Sequence, residues 1–580
     1  MKKFNTTLAA ILLFLLPLKF GGLAVMTEAG GFYPDNFTDW IFITWHPHAA
    51  AYIGTVMLFF ALLENHGKLA LRQLIFVVSW VILPVLAVLP GMIRGESVIA
   101  LGEVSLLLGA GSFVAAAALM LHAHPERSWI FTGAIIAGGV AAAFYGWHQH
   151  LYSLDETRRF VQYQESIGIP VSEGMRLKLT DPRIYSTLAS SNTFASFLMI
   201  ILVPAIYGAV RWSKKVTPPK AAKITFIAFA LLIFVPVLLL TRSRSIVVCP
   251  VLAGILAVFS LPEVKLRWKV AGLTAGILIV IAGILLALRL GRGIESMGER
   301  ADYWRTSAIL CKNYPLTGAG WGGFFHTHMT IKVSKVVESA RDPHNVVAKY
   351  ASQCGIPAGL IMLAVVFWPL VMLWKHRFSP GLSGAVFWSG VIFTLHSFID
   401  CDWQVPALIA IMGILYLCAL TEVPECEPVW KIKTAPVMVL SAVIAVAGVW
   451  SSYRYLAGDY ALAMLQDRIN PPSRETALKL APYSVEILAE EAAAIRPGSA
   501  VIPMYLGDWY TTMGAYDHAE AQYLKALELD PVRPAAFARL ARIELKRGNS
   551  SRAEELMMRA HRIYPLGREY TLEKLYQNRL

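Results

Sequence analysis

The chain has 580 residues, of which 56% are hydrophobic and 16% are charged. This composition, with a mean hydropathy of +0.53, excludes an ordinary water-soluble protein and is typical of a polytopic membrane protein. The formal net charge is +13, but residues 452–580 contribute only +1 of it, so the excess of Lys and Arg lies between apolar segments and does not indicate nucleic-acid binding. The six cysteines are irregularly spaced without a CxxC pair, so neither a disulfide framework nor a zinc site is predicted.

Thirteen apolar stretches are long enough to cross roughly 30 Å of hydrocarbon as helices. They lie near residues 5–25, 47–63, 73–90, 98–121, 129–147, 191–210, 224–241, 245–261, 269–289, 347–373, 383–399, 404–420 and 434–451. Lys2 and Lys3 precede the first stretch as in a secretory signal peptide, but Pro17 and Lys19 interrupt its apolar core and no clear cleavage site follows. The sequence predicts an all-α, polytopic helical membrane bundle of about 12–13 transmembrane helices.

The distribution of Lys and Arg predicts the orientation of this bundle. With the N-terminus in the cytoplasm, the inward-facing segments carry 17 Lys and Arg residues, and the short outward loops carry 3. Cytoplasmic loops are enriched in these residues, so this orientation is favoured. The long loops 148–190 and 290–346 and the C-terminal tail then lie on the outer face, which cytoplasmic nucleotides do not reach.

The tail contains a repeat with a period of 34 residues. Alanine and proline recur at this interval as Ala492, Ala526 and Ala560, and as Pro497, Pro531 and Pro565. This is the period of tetratricopeptide (TPR) helix pairs, which stack into an α-solenoid. Two copies, 500–533 and 534–567, and a degenerate copy before them predict a TPR-like domain over 455–580. It is either a folded cap or a groove for a partner protein or an acceptor.

Arginines gather at the predicted outer helix ends. Arg242 and Arg244, in the sequence TRSRS, separate two apolar spans, where a charge at bilayer depth costs roughly 2.5 to 3.5 kcal/mol. A single Arg could extend to lipid phosphates. Together with Arg300 and Arg305, and with Arg183 before the sixth span, they favour a site for a bound diphosphate, because guanidinium groups bind phosphate oxygens in bidentate fashion.

A histidine precedes the tenth span in the sequence RDPHNVVAKY. An imidazole can accept a proton from a sugar hydroxyl near neutral pH, and Asn345 or Asp342 could orient the ring of His344. Without the arginines, an interfacial surface histidine would be the better interpretation. His326 and His328 are the nearest approach to a metal pair, but no carboxylate lies at a convincing spacing, so no metal is predicted.

The glycines of GAGWGG, which include Gly318 and Gly320, satisfy a GxGxxG pattern without a βαβ unit around it. They therefore indicate a tight turn or a close backbone approach to a substrate, and not a nucleotide site.

These motifs, in their order, resemble those of the O-antigen ligase and polymerase superfamily. The resemblance rests on SRS at residues 243–245, RxxxW at 300–304, YPLTGAGWGGF at 314–324 and the His-Asn pair at 344–345. It extends upstream to RIYSTLASSNTFASFL at 183–198, where SSN stands in place of an NPN-like sequence. It covers roughly residues 180–420.

The resemblance implies transfer of a glycan from an undecaprenyl-diphosphate carrier to an acceptor hydroxyl on the periplasmic face of the bacterial inner membrane, without metal or other cofactor. It implies that Arg244 and Arg300 neutralise the diphosphate and that His344 activates the acceptor, with inversion. It further implies that the donor diphosphate is also bound by Arg242, Arg305 and Arg183. Supporting roles fall to Asn345, Asp342, Asn192, Gly318 and Gly320. Four segments follow: 1–180 with the N-terminal transmembrane helices, 181–420 with the ligase-like membrane domain, 421–454 with the last transmembrane helix and a linker, and the 455–580 repeats.

The sequence leaves the acceptor open. A ligase to a lipid core, a polymerase of polysaccharide repeat units and a protein O-oligosaccharyltransferase would use the same donor. Two non-enzymatic alternatives are a transporter of lipid-linked glycans and a membrane scaffold that acts through its repeats. A transporter is expected to hold ionisable groups near the bilayer midplane, whereas the basic residues here gather at the outer helix ends.

Overall fold

A computed structural model of the protein describes the chain in fifteen segments. They are residues 1–22, 37–42, 44–45, 48–94, 101–166, 181–188, 190–216, 218–261, 263–289, 294–332, 340–423, 428–469, 485–495, 498–565 and 568–577. The predicted all-α class is confirmed, since this part of the chain is almost entirely helical. The predicted degenerate repeat falls largely on residues outside these segments, as does Pro497.

The membrane part consists mainly of apolar helices. Its first helices are α1 (Lys2–Lys19), α2 (Phe37–Phe42), α3 (His48–Asn65), α4 (Leu71–Arg94), α5 (Leu101–Ala123), α6 (Ser128–His148), α7 (Leu154–Ser166) and α8 (Ser191–Ser213). Then follow α9 (Pro219–Leu240), α10 (Ser245–Ser260), α11 (Leu266–Arg289), α12 (Ile294–Asn313), α13 (Gly323–Ile331), α14 (Val346–Cys354), α15 (Ile356–Leu373), α16 (Leu382–Ser397), α17 (Pro406–Leu420) and α18 (Thr434–Ile469).

Within the described residues, each predicted span overlaps at least one helix. Among the described residues, six helical segments are long and apolar enough to cross a membrane: Leu71–Pro90, Val104–Ala123, Pro125–Tyr163, Ser191–Ser213, Lys220–Leu240 and Ile356–His376. Five shorter apolar helices lie at Ala49–Asn65, Ser245–Ser260, Leu382–Ser397, Pro406–Leu420 and Thr434–Trp450. An apolar helix satisfies its own backbone hydrogen bonds in lipid, which is why these stretches are helical. A membrane bundle is therefore confirmed, and the number of thirteen spans stays a prediction.

The predicted span 347–373 differs from the structure, which divides it at Gly355 into α14 and α15. Gly355 has a φ of +95°, a conformation that side chains with a Cβ rarely adopt. A Cβ at this position would lie 2.1 Å from the carbonyl oxygen of Leu316 in the preceding loop. The loop backbone therefore packs into the break, and α14 belongs to one end of the bundle.

The core of the bundle surrounds α17. All fifteen residues of this helix are buried, and it packs against α5, α6 and α16. Small and aliphatic side chains on α5, from Val114 to Leu121, fill the space beside it. A helix that is apolar on every face is stable only inside such a bundle.

Charged and polar contacts connect helices and turns at one end of the bundle. Arg127, whose side chain is 1% exposed, pairs with Glu64 at 2.7 Å and donates to the carbonyl oxygen of Lys2 at 3.0 Å. At the same end, strand β1 (Lys68–Ala70) pairs antiparallel with β2 (Val429–Lys431). These contacts join the N-terminus, the turn before α6 and the segment before α18.

We expect Arg127→Leu to destabilise this end strongly. Removing the guanidinium leaves the Glu64 carboxylate buried without its charge partner, which typically costs about 3–5 kcal/mol. The expected result is a clear fall in the thermal unfolding temperature of the detergent-solubilised protein. Glu126→Gln is the matched control, because it removes the neighbouring exposed ion pair with Lys2 and is expected to leave the unfolding temperature unchanged. An equal effect of the two variants would contradict the prediction.

The last membrane helix, α18, continues as one helix past residue 454 to Ile469. The tail then forms α19 (Val485–Ile495), α20 (Val501–Thr512), α21 (Tyr516–Leu529), α22 (Pro534–Lys546), α23 (Ser550–Ile563) and α24 (Leu572–Gln577). The pairs α20–α21 and α22–α23 follow the predicted spacing. The small and large residues at matching repeat positions are buried, as Ala519, Tyr523 and Ala526 and again as Ala553, Met557 and Ala560.

The tail contacts the loop between α11 and α14. Met329 of α13 is buried in the same apolar cluster as Met504 and Tyr523 of the tail, and Phe325 packs against this cluster. The tail therefore covers one side of α13.

Candidate active site

Five separate parts of the chain meet at the end of the bundle opposite to the β1–β2 sheet. They are the start of α8, the turn between α9 and α10, α12, the turn before α14, and the segment between α16 and α17. Each contributes a polar or charged side chain. The meeting point is the carboxylate of Asp400, which is 4% exposed.

Asp400 contacts residues from three of these parts. Its Oδ2 accepts a hydrogen bond from Asn192 Nδ2 at 2.8 Å and lies 3.7 Å from a terminal guanidinium nitrogen of Arg300. Its Oδ1 accepts from the backbone N–H of Cys401 at 2.8 Å and lies 3.5 Å from His344 Nδ1. Burial by itself would raise the pKa of this carboxyl, but the hydrogen bond with His344 holds the pKa well below its usual range. Asp400 is therefore a carboxylate at neutral pH.

The turn before α14 fixes the ring of His344. The residue has a φ of +53°, and its backbone N–H donates to Asp342 Oδ1 at 2.8 Å. A left-handed conformation costs a residue with a Cβ about 1–3 kcal/mol and is found preferentially at functional sites. The imidazole stacks on Tyr303 of α12, with ring centroids 5.5 Å apart. Since the side chain is 22% exposed, the ring is oriented by Asp400 and Tyr303 and is still open to a substrate.

Asn345 and Asp342 were predicted to orient the ring of His344, and in the structure their hydrogen bonds and ion pair hold the turn around it. The Asn345 side chain caps α14 by accepting from the backbone N–H of Ala348 at 2.9 Å, and its Nδ2 donates to the carbonyl oxygen of Phe398 at 3.0 Å. Asp342 pairs with Lys349 at 3.1 Å. Both residues therefore hold the backbone on either side of His344, and it is Asp400 that faces the imidazole.

Two of the predicted arginines lie beside this centre. Arg300 donates from Nε to the carbonyl oxygen of Ile399 at 3.1 Å, and its side chain is 26% exposed. Arg244 is the residue before the first turn of α10. Burial lowers the pKa of the Arg244 guanidinium, and the positive charges of Arg300 and Arg183 lower it further. Positive charge therefore acts on Arg244 from two other arginines, which is the electrostatic condition that an anionic ligand would relieve.

The other three predicted arginines are either exposed or engaged by other partners. Arg183 pairs with Asp181 at 2.6 Å. Arg242 is exposed on the turn before α10, with a φ of +49°. Arg305 donates to Asp302 at 2.8 Å and to the carbonyl oxygen of Ile331 at 2.6 Å. Arg305 therefore joins α12 to the end of α13 in this structure.

The glycine run forms a structural turn. Gly318 has a φ of +64°, and a Cβ there would lie 2.2 Å from the backbone carbon of Gln353. Gly320 also has a positive φ, of +82°. The turn packs against the end of α14 through a hydrogen bond from the backbone N–H of Ala319 to the carbonyl oxygen of Ser352 at 2.9 Å. The predicted tight turn is present, and its glycines allow backbone to approach backbone.

Sequence reasoning missed Asp400, Asp402 and His396. They follow the eleventh apolar stretch in the sequence HSFIDCDW, where two acidic residues stand between apolar spans. Because charged residues near lipid are costly, such a cluster would have indicated a functional site. His396 and Asp402 are fully buried, at 0% exposure, and form a hydrogen bond of 2.7 Å.

Three side chains at the centre could also hold a cation. The ligand atoms of His344, Asp400 and Cys401 lie within 4.8 Å of one another. Imidazole, carboxylate and thiolate are all ligands that zinc accepts. No metal was predicted from the sequence, so sensitivity of activity to a chelator is the measurement that distinguishes the two interpretations.

Comparison with known proteins gives one family match, and it covers part of the candidate site. No curated protein matches the sequence. The matched stretch of a protein family contains Arg242, Arg244, Arg300, Arg305 and His344, whereas Asn192 and Asp400 lie outside it. That family is the O-antigen ligase family Wzy_C, whose model matches residues 227–363 and supports a place for this membrane protein in the O-antigen ligase superfamily.

Proposed function

We propose that the protein transfers a glycan from an undecaprenyl-diphosphate carrier to an acceptor hydroxyl. The single observation that carries this proposal is the meeting at Asp400 of an oriented imidazole and a guanidinium, His344 and Arg300, with Arg244 beside them. An imidazole with an accessible edge provides a base. Clustered guanidinium groups provide a place for a diphosphate. The family match supports the same reaction class.

The reaction needs little beyond these groups. His344 accepts the proton of the acceptor hydroxyl as its oxygen attacks the anomeric carbon of the glycan. The bond from that carbon to the diphosphate oxygen breaks, and the electron pair leaves with the polyprenyl diphosphate. Attack from the face opposite to the leaving group inverts the anomeric configuration. Asp400 stabilises the protonated imidazole through its negative charge.

Arg300 and Arg244 stabilise the charge that develops on the leaving diphosphate. Guanidinium groups stay protonated at all relevant pH values and present planar pairs of N–H donors to phosphate oxygens. Groups already held in place need no reorganisation when the charge forms, which makes such stabilisation effective. Arg242 and Arg183 extend the positive surface toward solvent. Arg305 contributes through the position of α12.

The site lies at the outer, periplasmic end of the bundle in this proposal. The Lys-rich and Arg-rich loops are predicted to be cytoplasmic, and the β1–β2 sheet and the Glu64–Arg127 pair lie at that end. The site is at the opposite end, where a lipid-linked glycan would present its diphosphate at the level of the membrane surface. The location is the inner membrane of a bacterium.

The tail is a TPR domain that docks a partner protein or the acceptor. The support is the 34-residue recurrence of helix pairs and the packing of the tail against α13. Helix α13 also contacts Tyr303 through the ring of His328, with centroids 5.1 Å apart. An acceptor held by the tail would therefore be close to the wall of the site.

Reconstitution of the purified protein in liposomes tests this function. We expect label to pass from an undecaprenyl-diphosphate glycan to one of three acceptors: lipid A core, a second lipid-linked repeat unit, or a periplasmic protein. The acceptor that takes the label distinguishes ligase, polymerase and protein transferase. Movement of the donor between leaflets without transfer to any acceptor would instead show a transporter.

The same assay tests the absence of a metal. We expect transfer to be unchanged after dialysis against EDTA, because the proposed chemistry uses only a base and positive charge. Loss of activity with EDTA, and recovery with Zn²⁺, would contradict this and assign a cation to His344, Asp400 and Cys401. A Cys401→Ser variant with full activity is expected on the metal-free mechanism.

A further inference from the structure

The turn between α9 and α10 alternates buried and exposed side chains. In the sequence TRSRS, Thr241, Ser243 and Ser245 are 0%, 4% and 8% exposed, whereas Arg242 and Arg244 are exposed. The serines thus face the core of the bundle, and the arginines face outward. The left-handed φ of +49° at Arg242 shows that this turn is held in a conformation that it would not prefer by itself.

The two serines begin a chain of buried hydrogen bonds. The Ser243 hydroxyl donates to Asn192 Oδ1 at 2.9 Å, and the hydroxyls of Ser243 and Ser245 are 2.8 Å apart. Ser245 Oγ lies 3.0 Å from His396 Nε2, and His396 Nδ1 lies 2.7 Å from Asp402 Oδ2. Asn192 in turn donates to Asp400. One continuous chain therefore joins Asp402, deep in the core, to the carboxylate at the centre of the site.

The direction of each hydrogen bond in this chain follows from its neighbours. Asn192 uses its amide N–H toward Asp400, so its Oδ1 must accept and Ser243 must donate. The oxygen of Ser243 then accepts from the Ser245 hydroxyl. Since the single hydroxyl proton of Ser245 is donated to Ser243, the Ser245 oxygen accepts from His396 Nε2–H.

This order requires His396 to carry a proton on Nε2. The second proton of the pair lies between His396 Nδ1 and Asp402, so that His396 and Asp402 together are neutral whichever of them holds it. A neutral pair avoids the cost of an uncompensated charge in the core. Ser196 donates to the same Asp402 oxygen at 2.8 Å and fixes its position.

We infer that His396 and Asp402 are positioning residues that hold the arginine-bearing turn and Asp400 in their places through Ser245, Ser243 and Asn192. This inference rests on the proposed function for its catalytic consequence. Neither residue touches the substrate. Their contribution is the fixed direction of the hydrogen-bond chain, which places Arg244 against the diphosphate and Asp400 against His344. An error of about 1 Å in such placement can cost about 100-fold in rate.

A set of four variants tests the inference. His396→Gln places an amide near the position of the imidazole, but its oxygen then faces the Asp402 carboxylate. Asp402→Asn alone keeps the chain, because its amide N–H can donate to His396 Nδ1. The double variant H396Q/D402N restores donation from residue 402 to residue 396 and from residue 396 to Ser245. Ser389→Ala is the matched control: Ser389 is fully buried on α16, as His396 is, and its hydroxyl donates to the carbonyl oxygen of Ile200.

Two measurements are made on each variant. The first is kcat/KM for transfer, where we expect a loss of about 100-fold in His396→Gln and a recovery of about 10-fold or more in the double variant. Asp402→Asn and Ser389→Ala are expected to stay close to wild type. The second is hydrogen–deuterium exchange of the peptide spanning residues 241–246. We expect faster exchange in His396→Gln and protection in the double variant.

The exchange measurement decides the inference even if the proposed function fails. If the wild type transfers no glycan to any acceptor, the proposed function is wrong, and the exchange pattern still shows whether His396 holds the turn. If His396→Gln matches Ser389→Ala in both measurements, the inference is overturned. It is also overturned if the double variant is no better than His396→Gln, because the imidazole would then act through packing and not through hydrogen-bond direction.

Discussion

His344→Ala is expected to abolish glycan transfer while the protein stays folded in the membrane. General base catalysis contributes about 100- to 10,000-fold to a rate, and no other described side chain at this centre combines an accessible imidazole with an orienting carboxylate. The expected loss falls on kcat with a smaller change in KM for the donor. The measurement is transfer of label in liposomes, together with the thermal unfolding temperature of each preparation.

His148→Ala is the control for this variant. It removes an exposed histidine at the same end of the bundle, at the end of α6, and is expected to retain wild-type transfer. If His344→Ala transferred glycan at the wild-type rate, His344 would not be the general base. If His344→Ala unfolds at a lower temperature than His148→Ala, His344→Gln provides a variant of closer volume that lacks the base.

Arg300→Ala is expected to weaken use of the donor severely, by about 100- to 1,000-fold in kcat/KM, as when a single charge-stabilising donor is removed from an active site. The side chain bridges the Ile399 carbonyl oxygen and Asp400, so its loss also leaves the carboxylate with less positive charge around it. Arg300→Lys is expected to recover only part of the activity, since an ammonium is a point charge without the planar pair of donors. The measurement is the initial rate at varied donor concentration.

Arg158→Ala is the matched control for Arg300→Ala. Arg158 lies on α7, is partly exposed and pairs with Asp155 at 2.6 Å. It removes one positive charge from the same face without touching the centre. Equal losses of kcat/KM in the two variants would show that the net charge of this face determines donor use. Arg300 would then make no specific contact with the diphosphate. Full recovery by Arg300→Lys would also contradict bidentate binding.

The hydrophobic pattern was sufficient to predict the class of the fold. Apolar stretches of sufficient length become helices because their backbone has no other hydrogen-bonding partners in lipid. The repeat period likewise predicted helix pairs in the tail, where Ala519, Tyr523 and Ala526 are buried between approaching helices. The break at Gly355 was not predicted, because the backbone that packs into it comes from a loop 39 residues earlier.

Part of the site was predictable for a related reason. A charge at the end of an apolar helix is costly, so Arg244, Arg300 and His344 stood out against their surroundings, and the structure brings all three to one end of the bundle. Arg305 was predicted on the same grounds, yet its guanidinium is engaged by Asp302 and Ile331. The cost of placing a charge near lipid indicates that the charge is functional, but it does not identify the partner that the charge binds.

The sequence by itself determined that this chain is a helical membrane protein with basic groups and a histidine at the ends of its helices. Only the tertiary structure decided that Asp400 is the carboxylate at which those groups meet, and that His396 and Asp402 support it from within the core. The physical reason is distance along the chain: Asn192 and Asp400 are separated by 208 residues and share a hydrogen bond of 2.8 Å. Pairing of that kind depends on how α8 and α16 pack, and no local pattern of residues encodes it.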